Sequence, residues 1–157
     1  MNIVKGSFSA KGMHFGIVVA RFNEFITRRL LASAVETLEQ SGASAKMMDV
    51  VWVPGALEIP YFCKKLAAKK KYDAVIALGC ILRGGTYHYE CVCHEVVRGI
   101  SQVALEMNVP IAQGIITADT LEQAIDRAGL KAGNKGAHAA QAAVEIANMN
   151  HQISKRK

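Results

Sequence analysis

The feature that most constrains this chain is the apolar run at residues 74–82, which ends abruptly at Arg83, Gly84, Gly85 and Thr86. Nine consecutive apolar residues with no polar alternation fit a strand buried on both faces, and are far too few to cross a bilayer. Beyond the glycines, Tyr89, Val92, Val96, Ile100, Val103 and Met107 recur in steps of three and four, the signature of one helix face. The stretch therefore predicts a buried parallel strand, a glycine turn and a helix. Free backbone N–H groups and the positive end of the helix dipole meet at such a turn, a natural seat for an anion. His88 sits at the helix entrance, so a titratable base lies within one turn of that seat.

The rest of the chain repeats the alternation. Residues 1–10 read as a short extended arm strand, and 15–20 as the first clear strand, closed by Arg21, Phe22 and Asn23. A helix to about Gln40 carries Ile26, Leu30, Ala34, Val35 and Leu38 on one stripe, and Ser41 with Gly42 ends it. The second strand, 47–53, stops at Pro54 and Gly55. A helix over about 57–68 follows, with Pro60 tolerated in its first turn. Residues 110–117 form the fourth main strand, and Thr120 with Gln123 has the capping-box spacing of a short helix ended by Gly129. The loop 131–136 leads to a last helix reaching about Asn150, with 151–157 as a basic tail. This order predicts a single α/β domain: a four-stranded parallel sheet with helices on both faces and right-handed crossovers. Ligands in such folds bind beyond the carboxyl ends of the strands, where 21–23, 54–58 and 83–88 converge.

Composition narrows the classes. With 51% hydrophobic and 20% charged residues over 157 positions, the chain is globular rather than disordered. Its opening residues lack the apolar core of a signal peptide, so a cytoplasmic location is expected, and Cys63, Cys80, Cys91 and Cys93 are read as reduced thiols. The net charge of +6 comes largely from lysines at 64–65 and 69–71 and from the tail. No aromatic residues are interleaved as in single-strand binders, so solvated faces explain these blocks and no nucleic-acid partner is expected. A basic protein suits an anionic small substrate equally well.

His88 and Glu90 reproduce half of a zinc-deaminase signature, with Cys91 and Cys93 just downstream. On one helix Cys93 points away from His88, so no metal site is expected. Phe22 reads either as core or as a stacking platform for a planar ligand. Glu58 reads either as a dipole-favouring residue at a helix start or as a ligand contact. The last helix carries alanines on nearly every side. A terminal helix apolar on most sides is expected to be buried against another subunit, with close packing within one chain as the alternative.

Four segments, 20–23, 51–60, 77–86 with His88, and 122–129 followed by 131–136, together resemble the lumazine synthase family. The resemblance covers nearly the full length and implies a flavodoxin-like sandwich forming pentamers, in some members an icosahedral shell of pentamers, with sites between adjacent subunits. It implies condensation of 5-amino-6-(D-ribitylamino)uracil with 3,4-dihydroxy-2-butanone 4-phosphate, without a metal or organic cofactor, in riboflavin biosynthesis. Riboflavin synthase is the protein partner it suggests. A non-catalytic flavin- or lumazine-binding module, or a shell-forming relative without turnover, is the competing reading.

By the same resemblance, Phe22 stacks on the pyrimidine with Asn23 beside it, and Ala56, Leu57 and Glu58 hold the ribityl chain. Cys80, Ile81 and Leu82 line the ring pocket through backbone. Gly85 and Thr86 bind phosphate together with Arg127 of the neighbouring subunit, with Lys135 nearby, and His88 transfers protons. Two positions depart from the family's usual residues: Gln113 replaces a ring that packs on the substrate, and Cys80 replaces threonine.

Overall fold

A computed structural model describes residues 1–131 and 133–155. Its elements alternate along the chain: β1 (Phe15–Ala20), α1 (Glu24–Gln40), β2 (Met48–Val53), α2 (Ile59–Ala67), β3 (Ala74–Leu82), α3 (His88–Met107), β4 (Ile111–Ala118), α4 (Leu121–Arg127) and α5 (Lys135–Ser154). The strands form one sheet in the order β2-β1-β3-β4, every pairing parallel. This is the flavodoxin-like arrangement in four strands, with its switch point between β1 and β3.

Burial explains why the inner strands read as continuous apolar runs. Every residue of β1 is buried, as is every residue of β3 up to Leu82, because helices cover both faces. Side chains alternate between two cores. Phe15, Ile17, Val19, Ile76 and Leu78 pack with α1 and α5, whereas Val18, Ala20, Val75, Ala77 and Ile81 pack with α2 and α3. The edge strands β2 and β4 expose alternate positions, including Val50, Trp52 and Gln113. The stripe anticipated on α3 lies on the second core as the spacing requires.

Several boundaries differ from expectation for local reasons. The chain enters α2 through a 3-10 turn, Ala56–Glu58, because the Glu58 carboxylate accepts a 2.8 Å hydrogen bond from the Gly55 N–H and tightens the entry. At α4, Thr120 Oγ1 accepts from the Gln123 N–H, but Gln123 Oε1 accepts from the Asp119 N–H, one residue earlier than the box predicts. Asn134 caps α5, accepting from the N–H groups of Gly136 and Ala137. That helix runs past Asn150 into the expected tail because His151 Nε2 docks on Asp73 Oδ1 at 2.7 Å. Ala132 in the preceding loop, and Arg156 and Lys157 of the tail, lie outside the described residues.

The arm forms no strand within the chain. It runs along α5, where Asn148 Nδ2 donates to the carbonyls of Ser7 and Ser9 and Gln152 Nε2 to that of Lys5. Much of the apolar character of α5 is satisfied inside one chain. Ala139, Ala140, Ala143, Val144 and Ala147 are buried in the core shared with α1, whereas Ala142 is exposed and Ala137, Ile146 and Met149 are only partly covered.

The closeness of that packing is set at Gly136. A Cβ placed there would lie 2.0 Å from the Leu30 carbonyl oxygen of α1, a backbone atom that cannot swing aside. Gly136→Ala should therefore cost about 3 kcal/mol, the upper end of overpacking penalties. Urea denaturation should show the midpoint falling with an unchanged slope.

Candidate active site

The carboxyl ends of the four parallel strands point to one edge, Ala20 beside Val53 and Leu82 beside Ala118, with β3 and β4 running on past the level at which Val19 pairs with Leu78. A cavity of about 360 Å³ opens there. Its walls come from Phe22 after β1, from residues 55–58 after β2, from residues 80–82 at the end of β3, and from Gly84, Thr86 and His88 beyond it. Tyr89 and Val92 of α3 also line it. Sequence reasoning assigned these two to the apolar stripe of α3, and they do pack on the core. Their place on the helix's first turns also brings them to the cavity, which only the three-dimensional end of the stripe reveals.

Phe22 is not a core residue. Its N–H bonds the Pro54 carbonyl at 3.0 Å, and the neighbouring Arg21 N–H bonds that of Val53 at 2.7 Å. The backbone is thereby fixed while the ring remains 72% exposed at the cavity wall. A rigid, exposed aromatic face suits a planar ligand. Leu57, 48% exposed, contributes apolar surface from the other side. Glu58 combines its two readings: it caps Gly55 and also lines the cavity.

Asn23 does something the sequence did not disclose. It is absent from the cavity wall, adopts a left-handed conformation (φ 60°) and makes no side-chain cap to α1. Its Nδ2 instead donates to the Cys80 carbonyl at 2.9 Å. This bond spans the crevice between β1 and β3 and fixes the distance from the Phe22 platform to the wall opposite.

The β3–α3 loop offers donors. Among the described residues, the N–H groups of Gly84, Gly85 and Thr86 have no hydrogen-bond partner. Neither glycine has a left-handed φ, and a Cβ at either would meet nothing within 4 Å. The fold of one chain therefore does not demand glycine here; close approach by something outside it would. His88 is the exposed first residue of α3.

The chemistry available is acid–base and electrostatic. Burial pushes the Cys80 thiol up to about 11, so it stays protonated and is no nucleophile at neutral pH. No cluster of three or more His, Cys, Asp or Glu side chains that could hold a metal occurs among the described residues. Glu90, the acid of the deaminase-like fragment, is bound to Arg83.

Besides Asn23, Gly85 is absent from the cavity wall, and three further expected site residues lie elsewhere. Gln113 is exposed on edge strand β4, opposite Ala77, with its amide 3.3 Å from the Ser101 hydroxyl. Arg127 ends α4 and Lys135 begins α5; both are exposed and neither joins an ion pair among the described residues. The chain's own cavity is built without them.

Fold and cavity together define a flavodoxin-like α/β domain with a ligand-sized crevice at its switch point. Comparison with known families places it more narrowly. Residues 12–151 match the model of 6,7-dimethyl-8-ribityllumazine synthase, and the chain belongs to that family of riboflavin-biosynthesis enzymes. No helix among the described residues is long and apolar enough to cross a membrane.

The cross-crevice bond makes a graded prediction. Asn23→Ala removes it and places alanine at positive φ, so stability should fall by about 2 kcal/mol, roughly one from each cause. Asn23→Gly should recover the conformational half only. Equal losses from the two variants, measured by chemical denaturation, would contradict this division.

Proposed function

We propose that this chain condenses 5-amino-6-(D-ribitylamino)uracil with 3,4-dihydroxy-2-butanone 4-phosphate to give 6,7-dimethyl-8-ribityllumazine, phosphate and two waters. The observation that carries the proposal is the grouping of Phe22, Gly84, Thr86 and His88 about one cavity, within a chain of this family. The primary amine attacks the ketone and water leaves as an imine forms. Loss of phosphate then generates a carbonyl-bearing chain, and attack by the ribityl-bearing nitrogen closes the ring with loss of the second water. Each step moves protons or expels phosphate or water, with no net oxidation, so positioning and proton transfer are the protein's tasks.

In this reading Phe22 stacks on the pyrimidine, and residues 56–58 receive the ribityl chain. The backbone of Cys80, Ile81 and Leu82 borders the ring. Gly85 and Thr86 hold the phosphate through their amides, and His88 shuttles the protons. Arg127, with Lys135 and Gln113, acts from a neighbouring subunit. The exposure of all three, away from the chain's own cavity, supports that assignment. A guanidinium suits the task because its planar fork matches two phosphate oxygens. We infer a pentamer as the working unit, with a shell of pentamers, riboflavin synthase as a partner and a cytoplasmic location as extensions of the same reading.

Incubating the protein with both substrates tests the proposal. It predicts fluorescent lumazine and released phosphate in equal amounts. Binding of lumazine or flavin without turnover would replace catalysis by a binding or shell-forming role. His88→Ala should lower kcat by about a hundredfold, the lower end of what a positioned acid–base group contributes. Inhibition by inorganic phosphate should be unchanged in that variant, and equal kinetics from pH 6 to 8, roughly the imidazole range, would remove His88 from the mechanism.

A further inference from the structure

Beside the β3–α3 loop, Arg83 joins three elements through one side chain. Its Nε donates to Asp119 Oδ1 at 2.5 Å, just beyond β4, and an Nη donates to Glu90 Oε1 in the first turn of α3. The guanidinium carbon lies 4.3 Å from the centre of the Tyr89 ring, which itself lines the cavity. The second oxygen of Glu90 is shut away from solvent without a hydrogen-bond partner, so Arg83 is that carboxylate's counter-ion. Arg83 is the residue immediately before the unpartnered amides of Gly84, Gly85 and Thr86.

The charge count creates a problem for the neighbouring site. Two carboxylates and one guanidinium leave a net negative group beside a loop assigned to a phosphate. Glu90 also occupies the positive end of α3, where it competes for the field that would favour an anion. We propose that Arg83 is a charge-balancing positioning residue: it masks Glu90 and Asp119 from the substrate's phosphate and holds the loop against α3, without touching substrate itself. The inference deepens the function proposed above and rests on its assignment of this loop. The ion pairs agree with the masking role, since both carboxylates hydrogen-bond Arg83, raising its pKa, and Arg83 in turn lowers that of Glu90.

The test uses the full chain and inorganic phosphate as probe, with turnover as a second readout. Arg83→Gln exposes both carboxylates, and phosphate affinity should fall about tenfold, the effect of one unit charge a few ångströms away in a partly screened site. KM for the phosphorylated ketone should rise in parallel, while KM for the aminouracil stays within twofold of the parent, about the scatter such comparisons tolerate. Adding Glu90→Gln to Arg83→Gln should restore most of the phosphate affinity. A brace acting only through structure could not be repaired by deleting its second partner. Raising the ionic strength should shrink the defect of Arg83→Gln, because screening weakens exposed charges. Thermal melts identify folded variants; if Arg83→Gln does not fold, Glu90→Gln alone decides, since masking predicts tighter phosphate binding and a structural brace weaker binding. Unchanged phosphate affinity in Arg83→Gln, or no rescue in the double variant, overturns the proposal. A parent that binds phosphate with these variant effects yet makes no lumazine would refute the condensation alone. A parent that binds no phosphate overturns the role given to Arg83.

Discussion

Burial of β1 and β3 on both faces is the constraint on which the rest of the molecule depends. Two helices must lie on each side of these strands, and parallel pairing then sends every strand's carboxyl end to one edge. At the switch point the chain leaves β1 toward α1 on one face and β3 toward α3 on the other. The crevice opened by this divergence is a geometric consequence of the core. Phe22 and His88, distant in sequence, face one cavity because their strands are hydrogen-bonded neighbours.

The edge is given its dimensions by a few polar contacts. Asn23 spans the crevice to the Cys80 carbonyl, Glu58 caps the loop after β2, and Arg83 ties the loops after β3 and β4 together. None of these groups is deeply buried, and exposed ion pairs contribute little to global stability. Their weight lies in geometry: each fixes a loop that carries part of the cavity wall. The amides at 84–86 are the exception, left without a hydrogen-bond partner among the described residues.

What was legible in the sequence follows from the same physics. Double-sided burial writes itself as an unbroken apolar run, as in β3, and a single buried helix face as the three-and-four spacing of α3. Punctuation by Arg21–Asn23, Pro54 and Gly84 marks the loops that become the crevice. Contacts between distant segments left no local trace. Asn23 and Cys80 are separated by 57 positions and Arg83 and Asp119 by 36, so their partnership needed the strand order. The alanines of α5 were ambiguous because small side chains serve close packing within a chain as well as between chains. Gly136, pressed against the α1 backbone, shows the packing within the chain, while Ala142 stays exposed. The arm's path along α5 depends on side-chain amides that have no periodicity to read.

The central claim is that the cavity of one chain is half of a site, completed by Arg127 of another. Mixed refolding tests it most directly. His88→Ala and Arg127→Ala variants, each nearly inactive, are denatured, combined and refolded together, with mixed oligomers verified by mass. The account predicts that activity reappears, because some interfaces then pair an intact His88 loop with an intact Arg127, and that mixing without refolding restores nothing. Verified mixed oligomers as inactive as either parent would contradict it and return both residues to one subunit's own site.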